Sequence, residues 1–193
     1  MIRVPFASTA CSVAAAALLA CLSVQAQDTT TRPAGTDAAA TAKVAQLARG
    51  DRKFIEEAAM GGLAEVELGK LAQQKASNEQ VKQFGARMAE DHAKANDELK
   101  QLAQIKGVNV PAAPDKSHTR DLDKLNKLSG AEFDRQYMAH MLSDHKKDVS
   151  EFKKASASAK DSDLKAFAGK TLPTLEEHLK LAQSVNDSVK TTK

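Results

Sequence analysis

SNEQVKQFGARMAEDHAKANDELKQLAQIKG, residues 77–107, sets Val81, Phe84, Met88, Ala95, Leu99 and Leu102 on one stripe, with charged and amide residues between them. Spacings of three, four and seven keep side chains on one face of a 3.6-residue turn, so the stretch reads as an amphipathic helix. Ser77 followed by Gln80 has the form of a capping box at its start, and Gly107 suits its stop. A helix with one apolar stripe needs partners to bury it, and the neighbouring sequence supplies three.

Upstream, residues 52–75 carry Ile55, Ala59, Leu63 and Val66 on one stripe, flanked by Ala58, Leu68 and Ala72, with Asp51 as the expected N-cap. Gly61-Gly62 in the middle predicts close approach by another helix, because glycine there otherwise only destabilises. Downstream, Pro111 and Pro114 mark residues 108–119 as a connector, and residues 120–128 read as a short surface helix. Ser129 with Glu132 forms a second capping box ahead of Phe133, Tyr137, Met138, Met141, Val149 and Phe152, a helix ending near Ser158. The last helix opens near Asp161 and aligns Leu164, Phe167, Ala168, Leu172, Leu175, Leu179, Ala182 and Val185. Pro173 inside it predicts a kink, since proline removes one backbone bond and collides with the carbonyl four residues back.

The halves look duplicated. A shift of 79 residues aligns Phe54 with Phe133 and Glu65 with Asp144, and an insertion at residues 157–160 then changes the shift to 83, aligning Phe84 with Phe167. Short loops within each half and a long one between them predict an all-α, ferritin-like four-helix bundle over residues 51–189, a duplicated helical hairpin with a long crossover between its second and third helices.

The first 26 residues read as a signal peptide, with Arg3, an apolar run from Cys11 to Val24, and small residues at Val24 and Ala26 for cleavage before Gln27. The run is shorter than the roughly 20 apolar residues that cross a bilayer. A periplasmic or secreted protein follows as the expectation. The alternative is a lipoprotein anchored through Cys21, after Leu18-Leu19-Ala20. Both cysteines lie in the leader, so cleavage before Gln27 leaves no thiol for a disulfide. Residues 27–50, rich in Thr, Ala, Asp, Pro and Gly, read as a flexible tether with a short helical segment at 41–47. The formal charge of +3, one unit of which is Arg3, comes with interspersed signs and carries no footprint of nucleic-acid binding.

Polar residues on apolar stripes are the informative ones, because burial of an unpaired polar group is costly. His92 falls between Met88 and Ala95, His145 between Met141 and Val149, and His178 beside Leu175 and Ala182. Glu65 sits among Ala58, Gly62, Leu68 and Ala72, and Asp91 and Asp144 precede two of the histidines in a repeated Met-x-x-Asp-His. Glu65, His92, Asp144, His145 and His178 are thus the candidate metal ligands, one or more from each helix, of a type that suits iron, manganese or zinc. Met88, Met138 and Met141 add a copper version, although methionine equally fills core gaps. The competing reading is a polar layer in which each histidine bonds a carboxylate and fixes helix register. No cysteine nucleophile remains after cleavage, and neither a nucleophile elbow nor a phosphate loop occurs, so the reading leans towards a binding protein and leaves a metal-dependent enzyme as the alternative.

The runs AAMGGLAEVELGKLAQQKASNEQVKQFGARMAEDHAKANDEL, FDRQYMAHMLSDHKKDV and LKAFAGKTLPTLEEHLKLA resemble the ferritin-like exported family called domain of unknown function 4142, over about residues 51–182. The resemblance implies an exported four-helix bundle and no particular activity. Ferritin-like di-iron proteins carry Glu-x-x-His, and here Ala89 and Leu175 stand three residues before His92 and His178. The adjacent pairs Asp91-His92, Asp144-His145 and Glu177-His178 diverge by about 100° around a helix and do not readily meet one ion. Two functions remain open at this level. One is a binding protein of the cell envelope that takes a metal ion or another small partner, its protein partners unknown. The other is a metal-dependent oxidoreductase or metal-storage protein.

Overall fold

The computed structural model describes residues 47–191 and contains, among them, α1 Arg49–Lys75, α2 Glu79–Ile105, α3 Lys116–Asn126, α4 Gly130–Ser158 and α5 Ser162–Thr191. The leader, acylation at Cys21 and residues 27–46 of the tether lie outside the described residues. The bundle starts earlier than expected: Gly50 is not a stop but part of the first turn of α1. No helix among the described residues is long and apolar enough to cross a membrane.

α1, α2, α4 and α5 form an antiparallel four-helix bundle. Tight turns pair α1 with α2 and α4 with α5. Bonds between Gln80 and Ser188, Arg87 and Glu177, and Glu98 and Lys170 run antiparallel along α2 and α5. Since α2 ends and α4 begins at opposite ends of the bundle, residues 106–129 traverse its length, with α3 on the way. Asp115 caps α3 by accepting from the amides of Ser117 and His118, so this helix starts earlier than the expected residue 120. Leu125 buries its one fully covered side chain, and Lys75 Nζ bonds the Asn126 carbonyl at 2.9 Å. Gly107, with φ 66°, closes α2: the Val108 amide bonds the Ala103 carbonyl at 2.8 Å, and Val108 is buried.

Three capping expectations are corrected. Asp51 does not cap α1, whose cap is Ala48; it lies in the first turn and accepts from the amides of Lys160 and Asp161 at 2.9 and 2.8 Å. Ser77 does not cap α2, because Asn78 holds the extended backbone before the helix and accepts from the Gln80 amide at 2.8 Å. Ser77 instead donates through its hydroxyl to Asp134, which also receives the Ser77 and Asn78 amides at 3.0 and 2.9 Å. Ser129 occupies the cap of α4 without a side-chain bond, and Glu132 turns to Arg135 and Gln136.

Asp51 and Asp134 are therefore reciprocal: each first helix of one hairpin ties down the turn of the other. Asp134, Lys160 and Asp161 lie 83 positions after Asp51, Ser77 and Asn78. The ends of α1 and α4, Lys75 and Ser158, and the starts of α2 and α5, Glu79 and Ser162, keep the same separation. The duplication thus runs at 83 throughout, and the expected insertion at residues 157–160 does not exist.

Close approach of α1 to α2 comes mainly from two glycines outside the Gly61-Gly62 pair. A Cβ on Gly69 would stand 2.5 Å from the Gly85 carbonyl oxygen, and one on Gly85 would stand 2.6 Å from Ala72 Cβ. Gly62 faces the Asn96 side chain, which a Cβ would strike, whereas a Cβ on Gly61 would meet nothing within 4 Å. α5 runs unbroken through Pro173. Two apolar clusters fill the interior, one around Leu68, Phe84, Met88, Phe133, Tyr137 and Met141, the other around Ile55, Leu99, Leu164 and Phe167.

Candidate metal centre

Four buried polar side chains lie on the core-facing stripes, one from each bundle helix: Glu65 on α1, His92 on α2, His145 on α4 and His178 on α5, exposed by 4%, 6%, 0% and 1%. The histidine rings gather at centroid separations of 5.7 Å (92 to 145), 5.4 Å (92 to 178) and 5.4 Å (145 to 178). One ring nitrogen of each lies within 4.8 Å of the others.

Each ring has one nitrogen held. His92 Nδ1 stands 2.8 Å from Glu65 Oε2. His178 Nε2 stands 2.9 Å from Asp91 Oδ2. His145 Nδ1 stands 3.0 Å from the Met141 carbonyl, which can only accept, and 3.5 Å from Glu65 Oε1. The Met141 carbonyl, the ionised Asp91 and, once it is ionised, Glu65 are acceptors that assign the N–H to the held nitrogen of each ring. The lone pairs fall on His92 Nε2, His145 Nε2 and His178 Nδ1, and all three atoms are buried without a partner.

Electrostatics keep the rings neutral. Burial pushes His92 and His178 down to about 4, against the raising influence of nearby carboxylates, and lowers His145 as well. Burial raises Glu65 to about 7 despite the His145 ring, and raises Asp148 well above the usual range, with the Glu65 charge adding to it. Burial also disfavours ionised Asp91, yet hydrogen bonds from His178 and Arg87 outweigh it and hold that carboxyl low. The Tyr137 hydroxyl is buried without a partner, and burial pushes its ionisation upward.

Asp144 does not join this group. Its Oδ2 lies 3.0 Å from His140 Nε2, and its side chain is a third exposed. The carboxylate that approaches Glu65 and His145 is Asp148, one turn further along α4. Two signals could have found it: Asp148 follows His145 by three residues, and it stands 83 after Glu65. The divergence of adjacent Asp-His pairs is borne out at Asp91, which serves His178 on α5 and not its neighbour His92. Met88, Met138 and Met141 are fully buried members of the apolar cluster beside the rings.

A cavity of about 300 Å³ reaches the site from one side. Glu65, His92 and His178 are at its wall together with Asp91, Asp148 and Asn96, while Leu99, Phe152, Phe167 and Leu175 line its apolar part. The arrangement offers three neutral nitrogen donors, two nearby carboxyls and one open side.

The family model described as Domain of unknown function (DUF4142) matches residues 36–185. No curated protein matches the chain. Among solved structures, a DUF305 fragment from Deinococcus radiodurans is similar with a TM-score of 0.64 and 11% identity, covering 74% of this chain and 98% of that one. A DUF305 protein from Streptomyces coelicolor, described there as a candidate secreted protein, is similar with a TM-score of 0.63 and 15% identity, covering 73% and 92%. At such identities the likeness concerns the fold alone.

Proposed function

The chain belongs to the family of domain of unknown function 4142, and within that family we propose that it is an exported bundle protein that binds one transition-metal ion through His92, His145 and His178. The observation that carries the reading is the set of three buried ring nitrogens left without a partner, each on a ring whose other nitrogen is anchored. In a layer built only for register, both nitrogens of a buried histidine would be satisfied. Lone pairs converging without protons repel one another, and a cation at their centre removes that repulsion. Anchoring by Glu65, Asp91 and the Met141 carbonyl is the support that metal-bound imidazoles ordinarily receive.

Three neutral imidazoles suit zinc, copper(II) or iron better than manganese or calcium. The cavity leaves a further position for water or a small ligand. The thioethers of Met88, Met138 and Met141 belong to the apolar packing, so the copper version rests on the imidazoles alone. Export rests on the leader sequence and the cleavage motif before Gln27.

The test is metal analysis of the purified mature protein by native mass spectrometry after exposure to zinc, copper or cobalt. One ion per chain is expected in the wild type, with His145→Ala retaining helical circular dichroism and losing the ion. A wild type that takes up none of these metals would return the layer to a purely structural role.

A further inference from the structure

We propose that Asp148, with the free oxygen of Glu65, forms the landing position through which a divalent cation passes from the cavity to the three histidines. This inference rests on the three-histidine reading and specifies how that site is loaded.

Donor atoms of Glu65, His145 and Asp148 lie within 4.8 Å of one another, a second set that overlaps the first at His145. Glu65 spans the two sets. Its Oε2 holds His92, while Oε1 is buried on the side of the Asp148 carboxyl, is left unsatisfied by the histidine rings and belongs to a side chain more than nine-tenths covered. Asp148 is half-buried and, like Glu65, lies at the cavity wall, whereas His145 lies behind it. Asp144, Asp148 and Glu151 follow one another at spacings of four and three along the cavity side of α4. The lysines at the same wall are already engaged, Lys94 with Glu90, Lys170 with Glu98 and Lys147 with Glu151. A cation entering the cavity therefore finds carboxylates beside the His92 and His178 rings and ahead of His145.

The two donor sets are filled in turn, not together. His145 is common to both, but the nitrogen it turns to Glu65, Nδ1 at 3.5 Å from Oε1, is committed as N–H to the Met141 carbonyl, so the landing position rests on the two carboxyls and the ring's one lone pair is left for the histidine set. The negative charge of an ionised carboxylate draws a hydrated cation to the cavity wall, and the imidazoles then hold it. In this scheme Asp148 lowers the barrier to passage in both directions and contributes little to final affinity.

Stopped-flow loading with Co2+, followed through the visible absorption of the histidine-bound ion, with release into excess EDTA, tests the idea. Asp148→Asn should slow uptake by about tenfold, and release should slow by a similar factor, so that affinity moves far less than either rate. Asp148→Glu should restore both rates, which separates loss of the carboxylate from a folding defect. Wild-type uptake should also slow as ionic strength rises. Unchanged rates in Asp148→Asn, faster release with unchanged uptake, salt-independent wild-type uptake, or two Co2+ per chain would each overturn this inference while leaving the three-histidine site standing. A wild type with no Co2+ absorption would overturn both.

Discussion

Glu65 carries two demands that act in opposite directions with pH. Its folded-state ionisation is raised from 4.5 to about 7, so between those values the native state keeps a proton that the unfolded chain has lost. Its contribution to stability is therefore largest at low pH and falls as pH rises through that window. His92 and His178, lowered from 6.5 to about 4, behave oppositely: the unfolded chain takes up protons the native state refuses, so their contribution grows as pH rises from about 4 to 6.5. Glu65→Gln removes one side of this balance. In metal-free protein, urea midpoints should show the variant gaining on the wild type between pH 4.5 and 7.5, by on the order of 3 kcal/mol. A difference independent of pH would mean that Glu65 is ionised throughout. At the same scale, Asp91→Ala removes the acceptor behind His178 and should weaken metal affinity by roughly 10- to 100-fold in a competition titration, without unfolding the bundle.

Among the elements, glycines in α1 and α2 differ by what stands over them. The Gly85 carbonyl blocks a Cβ on Gly69, and a backbone atom in a packed helix pair has little room to move. Gly69→Ala should destabilise by about 1 to 3 kcal/mol. Gly61 has open space above its Cα, so Gly61→Ala should stabilise by up to about 1 kcal/mol through helix propensity. Thermal melts of the two variants should shift in opposite directions, and equal shifts would contradict the helix spacing described here. Gly62→Leu belongs with Gly69, since the Asn96 side chain occupies the space above it.

For the whole molecule, the two hairpins are joined by Asp51 and Asp134 at opposite ends of helices some 40 Å long. Removing either carboxylate leaves turn amides without an acceptor, at about 1 to 3 kcal/mol each. Asp51→Ala and Asp134→Ala should destabilise additively in denaturant unfolding, because the sites share no partner and lie far apart. Strong coupling between them would imply that the two ends open as one unit. Export belongs to this scale too: N-terminal sequencing of the mature chain should begin at Gln27, and acylation at Cys21 would place the protein on a membrane instead.

By itself the sequence determined the four main helices, their stripes and the three mid-stripe histidines, because apolar period and helix boundaries are local properties of the chain. It also carried the long crossover, visible as a proline-containing stretch between capped helices. Which carboxylate meets which ring was decided only by tertiary structure. Shifts of 79 and 83 differ by four residues, close to the 3.6-residue turn, so both keep every stripe facing inward. The stripe pattern therefore could not distinguish Asp144 from Asp148 as the counterpart of Glu65. The ties of Asp51 and Asp134 to turns more than fifty residues away hold the hairpins in the register of 83, and that register brings Asp148 to Glu65. The same holds for Ser77: its local pattern matches a capping box, and the contact that overrides it comes from another helix.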